Sequence, residues 1–201
     1  SAPPGVERWD AVREGLKQIL AEVDDIEVAG EADCSSRALQ MARREPWDLV
    51  LMDISMPDRS GLETLELLKK EHPGIKVLML SMHRETQYAV RALKTGAAGY
   101  LNKQSAPDQL VDAIRLVASG KKYISAEVAQ ELASQVSGER TSLPHEGLSN
   151  REYQTLCLLA SGKKLSEMAE IMSLSTKTVS VYRARLLDKM KLKTNAEAIQ
   201  Y

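Results

Sequence analysis

Three polar side chains stand at the ends of apolar runs in the first half of the sequence. Asp53 closes DLVLMD (48–53), Ser81 lies at the end of KVLMLS (76–81), and Lys103 ends GYLNK (99–103). A carboxylate, a hydroxyl and an amine brought to one edge can hold an anion. Asp53 would be the nucleophile, Ser81 would donate a hydrogen bond, and Lys103 would neutralise charge. The end of the chain offers a different chemistry. Residues 144–201 carry a formal charge of +3 while residues 1–143 carry −4, inside a whole-chain balance of −1. That asymmetry fits either a nucleic-acid contact confined to the C-terminal part or a solvated basic face.

The apolar pattern around the three polar residues alternates between short strand-like runs and longer helical ones. IEVAGEA (26–32), DLVLMD (48–53), KVLMLSM (76–82) and the short GAAGYLNK (96–103) read as strands, and two of them are apolar on both faces. Between them SSRALQMARRE (35–45), GLETLELLKKEHPG (61–74) and ETQYAVRALKTG (85–96) read as helices, and SAPDQLVDAIRLVASG (105–120) as a helix with Ser105 at its N-cap. Strands alternating with helices, and buried on both sides, predict a doubly wound α/β domain with a parallel sheet. In such a sheet ligands bind beyond the carboxyl ends of the strands, where Asp53, Ser81 and Lys103 fall.

After residue 120 the rhythm changes. AEVAQELASQV (126–136) reads as a helix, and the Ser/Gly/Pro-rich stretch at 137–147 as a linker. LSNREYQTLCLLASG, LSEMAEIM, the short SLS and TKTVSVYRARLLDKMK then form helix, helix, three-residue turn, helix, followed by TNAEAIQY. The expected division is residues 1–120, 121–144 and 145–201.

Length and composition exclude several classes. With 201 residues, 43% of them hydrophobic and 27% charged, the chain is ordinary for one or two globular domains. No apolar run approaches the roughly 20 residues of a membrane helix, and SAPPGVERWD has no signal-peptide pattern, so a cytoplasmic protein is expected. Cys34 and Cys157 are too few and too far apart for a disulfide framework or a Cys-rich zinc site. Gly162-Lys163-Lys164 follows no glycine at the offset of a phosphate-binding loop. Met52, Met79 and Met82 read as core and rim, and His83 as a solvated loop residue.

DISMPDRSGL (53–62), MLSMH (79–83) and GAAGYLNK (96–103) resemble the receiver domain of bacterial two-component response regulators, over about residues 12–120. The resemblance implies a flavodoxin-like fold. It implies that Asp53 accepts a phosphoryl group from a sensor histidine kinase, that Lys103 pairs with a phosphoryl oxygen, and that Ser81 moves to hydrogen-bond the phosphate. Tyr100 resembles the aromatic whose rotamer follows that hydroxyl. It also implies a Mg²⁺ ion held by Asp53 and an acidic pair just before the helix that begins VREGL (12–16). At that place the sequence has Glu7 and Arg8, preceded by SAPPGV, which is not a strand. Glu7 is then the single metal-ligand candidate beside Asp53, and a hard ion asks for more carboxylate than that. A receiver that works without phosphate, an engineered or incomplete N-terminus, or an unfamiliar pairing of residues 1–10 would each account for it. The intact remainder of the pattern favours the second.

Residues 148–200 resemble the LuxR-type helix-turn-helix of the NarL/FixJ response regulators, most clearly in LSNRE (148–152), MAEIMSLS (168–175) and TVSVYRARL (178–186). Ser175 would cap the recognition helix, with Val179, Leu186, Leu187 and Met190 toward its scaffold. The resemblance implies base-edge contacts from Ser180, Val181 and Ala184, and phosphate contacts from Lys177, Thr178, Arg185 and Lys189. The partners implied are double-stranded DNA, a sensor histidine kinase and, in the active state, a second copy of the chain. Whole, this predicts a non-enzymatic transcription regulator switched at Asp53. The alternatives are a DNA-binding regulator whose receiver acts without phosphate through a partner or ligand, and a phosphatase on a similar sheet. The phosphatase lacks its second Asp, since the position two residues after Asp53 is Ser55.

Overall fold

The structure, a computed structural model, describes residues 6–54, 60–81, 86–138 and 143–201, and of residues 6–12 the backbone alone. Expectations for Ser55, Met82, His83 and the side chain of Glu7 lie outside the described residues. Three parallel strands, β1 (Leu49–Asp53), β2 (Lys76–Ser81) and β3 (Gly99–Asn102), form a sheet in the order β1-β2-β3. Their register sets Asp53 opposite Leu80 and Ser81 opposite Asn102, so the polar strand ends share one edge. Strand alternation sends Leu78, Leu80 and Leu101 to one face, under α1 (Val6–Ala21) and α5 (Ala106–Ala118). Met52, Val77 and Met79 go to the other, under α2 (Ser35–Arg44) and α3 (Gly61–Glu71). This is the two-sided burial that the apolar strands required. α4 (Thr86–Thr95) lies beside β3 and carries α6 (Ala126–Ser137) against Ala89 and Val90 through Val128.

One expectation is corrected. Residues 26–32 are irregular rather than a strand, because no strand lies beside them to supply a ladder. Residues 6–11, before VREGL, extend α1 as helix. A smaller difference concerns Ser105, whose side chain makes no capping bond. Its backbone is already in the helical region, and Pro107 in the first turn has no N–H to be capped.

The C-terminal domain is all helix: a 3₁₀ turn (Pro144–Gly147), then α7 (Asn150–Ala160), α8 (Leu165–Met172), α9 (Thr176–Lys189) and α10 (Asn195–Gln200). Ser149 caps α7 by accepting the Glu152 N–H at 3.2 Å. Ser175 caps α9 by accepting the Thr178 N–H at 3.1 Å. Met168, Met172, Val179 and Leu186 close its core, and the three-residue turn between α8 and α9 carries Ser173 at φ 54°.

Candidate functional site: a phosphoacceptor corner and a DNA-reading helix

At the carboxyl edge of the sheet, the Lys103 ammonium donates to the Asp53 carboxylate Oδ2. Both side chains are nearly buried, at 8% and 2% exposed. The contact follows from the fold. The Lys103 backbone N–H donates to the Ser81 carbonyl at 2.8 Å, which carries β3 one residue past its last pair and turns the lysine toward β1. Ser81 is buried beside them at the end of β2. Tyr100, half-buried, sits opposite Met79 two residues back from Ser81. All four sequence-predicted residues therefore belong to one corner. The Gly61 N–H donates to the Ile54 carbonyl at 2.8 Å, and a Cβ at Gly61 would stand 2.7 Å from the Ile54 Cα. The glycine in the motif lets α3 start hard against the strand end that presents Asp53.

A buried carboxylate paired with an ammonium could act as a nucleophile beside the cation that would balance an incoming anion. No group of three or more His, Cys, Asp and Glu side chains that could hold a metal ion occurs among the described residues, which leave out the side chain of Glu7.

The second site is α9. Lys177, Val181, Ala184 and Arg185 are exposed, Val181 at 43%. Thr178 and Ser180 are half-buried. The scaffold side holds Val179, Leu186 and Met190 buried and Leu187 half-buried, as the pattern required. Lys189 stands apart from the other predicted phosphate contacts because its ammonium donates to Glu152 Oε1 at 2.7 Å. Burial pushes the Glu152 carboxyl up, but hydrogen bonds from Lys189 and Ser149 outweigh it and hold the group below its ordinary value.

A third set of residues, not singled out from the sequence, joins the two domains. The Arg91 guanidinium, on α4, donates to the His145 and Leu148 carbonyls at 2.8 Å and to Asn150 Oδ1 at 3.1 Å. It also lies 4.1 Å from the centre of the Tyr153 ring. Tyr88 meets the same ring edge-on at 5.2 Å. From α3, Glu63 pairs with Arg151 at 2.5 Å and Glu66 accepts from Asn150. Burial pushes the Arg91 guanidinium below its ordinary value. The available signal was an arginine three residues after Tyr88, on the same side of the helix.

Comparison with known proteins agrees over both domains. The family described as response regulator receiver domain matches residues 6–115, and bacterial regulatory proteins, luxR family, matches residues 146–201. The response regulator UvrY of Escherichia coli K12 is 39% identical over 193 residues, covering 96% of this chain and 88% of its own. The response regulator GacA of Pseudomonas aeruginosa is 36% identical over 193 residues, covering 96% and 90%. Among solved structures, the RcsB response regulator of Salmonella typhimurium superposes with a TM-score of 0.69 at 22% identity, covering 96% of this chain and 91% of that one. RcsB bound to the promoter P1flhDC with a phosphomimetic superposes at 0.66, with 22% identity and 95% and 92% coverage. These two show likeness of fold.

Proposed function

The chain belongs to the response regulators that join a receiver domain to a LuxR-type DNA-binding domain, and from that membership we propose that Asp53 is its phosphoacceptor and α9 its DNA-reading helix. It is a transcription regulator and not an enzyme. In this reading residues 1–120 form the receiver, 121–144 the linker and 145–201 the output domain. A phosphoryl group passes from a histidine of a sensor kinase to an Asp53 oxygen, breaking the P–N bond and forming an acyl phosphate. Lys103 exchanges its bond to the Asp53 carboxylate for one to a phosphoryl oxygen, and the Ser81 hydroxyl donates to another. Tyr100 then responds to the space Ser81 leaves. Receiver domains generally use Mg²⁺. Lys103 already places one positive charge at the acceptor, and Glu7 is the further carboxylate to test.

Lys177 and Arg185 would contact phosphates and Ser180, Val181 and Ala184 base edges, with Thr178 also serving the α9 cap. Two copies on paired half-sites would form the active species in the cytoplasm. No described helix is long and apolar enough to cross a membrane.

The Lys103–Asp53 pair carries this reading. Its test is intact mass after incubation with acetyl phosphate and Mg²⁺, on this chain and on Asp53→Asn. A single phosphoryl adduct is expected in the first and none in the second, with the melting temperature of the nearly isosteric variant within a few degrees. No adduct on the parent chain, with specific DNA binding intact, would overturn Asp53 as the switch and leave a phosphate-independent regulator.

A further inference from the structure

The buried side of α2 is made by Ser35, Leu39 and Ala42, and that of α3 by Gly61, Leu62, Thr64, Leu65 and Leu68. Two hydroxyls, Ser35 and Thr64, therefore sit wholly buried in an interface that is otherwise apolar. Their oxygens stand 2.5 Å apart. Thr64 Oγ1 also lies 3.0 Å from the carbonyl oxygen of Ser60, the residue that caps α3. A carbonyl only accepts, so the single Thr64 hydroxyl proton goes to Ser60, and Ser35 supplies the proton of the shorter bond. The hydrogen bonds run one way, from Ser35 through Thr64 to the Ser60 carbonyl.

They lead to the residue beside Asp53. The peptide group that carries the Ser60 carbonyl also carries the Gly61 N–H, which donates to the Ile54 carbonyl at 2.8 Å. The Ile54 N–H donates to the Leu80 carbonyl at 3.0 Å. Ile54 is thus held at both of its polar groups, by β2 on one side and by the start of α3 on the other. Stability does not call for the hydroxyl pair. Arg43 and Glu71 already join the far ends of α2 and α3 through hydrogen bonds of 2.7 and 2.6 Å, and apolar side chains fill the middle. Two buried hydroxyls bonded to each other stabilise about as much as an apolar pair of the same shape. What sets this pair apart is where its bonds lead.

We propose that Thr64 and Ser35 are positioning residues for phosphoryl transfer: their hydroxyls fix the Ser60–Gly61 peptide, which holds Ile54 and with it the direction in which the Asp53 carboxylate leaves β1. This rests on the reading of Asp53 as the phosphoacceptor. Both hydroxyls act through Ser60 and Gly61. The Ser60 carbonyl accepts from the Thr64 N–H and the Thr64 hydroxyl together, at 3.0 Å each, so both of its lone pairs are engaged. Acceptance at that carbonyl polarises the same peptide group and strengthens the Gly61 N–H bond to Ile54. In the reaction an Asp53 oxygen bonds to phosphorus as the bond from phosphorus to the donor's leaving group breaks, and the three atoms line up only when the carboxylate is aimed. Lys103 holds Asp53 from the side chain, at Oδ2, and the bonds from Ser35 hold it from the backbone. A misplacement of about 1 Å costs about a hundredfold in rate, so a fraction of that is expected to cost about tenfold.

The test follows the rate at which the full chain gains a phosphoryl adduct from acetyl phosphate and Mg²⁺, by intact mass, well below the melting temperature. Thr64→Val keeps the shape of the side chain and removes its hydroxyl. It is expected to slow the rate about tenfold, and Thr64→Ser to restore it to within about twofold. Ser35→Ala is expected to slow it by only about two- to threefold, because Thr64 still donates to Ser60. Should Thr64→Val fail to fold, the double variant Ser35→Ala/Thr64→Val leaves no orphaned hydroxyl and is expected to be as slow as Thr64→Val and no slower. In the same variants the Gly61 amide is expected to exchange about tenfold faster. A role in packing alone lowers the melting temperature and leaves the rate where it was, and that result overturns the proposal. So does a Ser35→Ala variant slower than Thr64→Val, or a Thr64→Ser variant that restores nothing. A parent chain that gains no adduct overturns the phosphoacceptor reading and this proposal with it, whereas an adduct forming at the parent's rate on Thr64→Val overturns this proposal alone.

Discussion

The input and output surfaces of this regulator are built in opposite ways. Asp53 and Lys103 are paired with each other and nearly buried, so the proposed phosphoacceptor corner is closed on itself. The proposed reading side of α9 is open: Lys177, Val181, Ala184 and Arg185 are exposed, and no ion pair engages Lys177 or Arg185 among the described residues. The domains do pack together, but through α7 against α3 and α4, and this leaves α9 uncovered. Control by uncovering the reading helix therefore does not fit this arrangement. Control by position does. α4 follows the strand that ends at Ser81 and carries Tyr88 and Arg91 onto Tyr153. A shift of α4 would reset where the output domain sits, and paired half-sites about 34–36 Å apart read position directly.

Arg91→Ala gives the largest expected effect on that contrast. The guanidinium makes three hydrogen bonds across the domain boundary and stacks on Tyr153, so its loss should cost the docking about 2–4 kcal/mol. Small-angle scattering should show a larger radius of gyration, and Tyr153 should lose its ring-current shifts. Affinity for a single half-site should stay within about twofold, because 1.4 kcal/mol would be tenfold and no such contact is released from α9. A tenfold gain would mean that docking hides the reading face after all, and the contrast would fail.

What the sequence made legible follows the range of the forces involved. The caps at Ser149 and Ser175 and the buried side of α9 are local, set by residues three or four apart, and they stand as expected. Asp53, Ser81 and Lys103 are far apart in the chain, yet the carboxyl-edge rule for parallel sheets brings them together without knowledge of contacts. Residues 26–32 have the alternation of a strand, but a strand exists only with a neighbour, and pattern alone does not supply one. The Arg91 contacts were illegible for the same reason: its acceptors are mostly backbone carbonyls, which every sequence has.

Arg185→Ala probes the open surface itself. An exposed arginine that neutralises one phosphate releases about one counterion, so log K should fall less steeply with log salt by about 0.9. Affinity should drop for every DNA sequence alike at fixed salt. An unchanged slope would take Arg185 off the phosphate-contacting side of α9.

The smallest effect is expected at Glu152, the one place where the output surface is held as the input corner is. Glu152 is 3% exposed, and its ion pair with Lys189 engages a cation expected among the phosphate contacts. Its carboxyl is held below the ordinary value, so the unfolded chain takes up a proton before the folded one does. The stabilisation is present above the unfolded value, near 4.5, and is lost as pH falls through the folded value. Glu152→Gln should cost about 1 kcal/mol at neutral pH and flatten the loss of stability on acidification, as read by thermal melts from pH 7 to 3. It also releases Lys189. If that ammonium then reaches a phosphate, the salt slope of DNA binding steepens by about 0.9, the reverse of Arg185→Ala. A slope that does not move would place Lys189 in the scaffold of the domain, and the open reading side would end at Arg185.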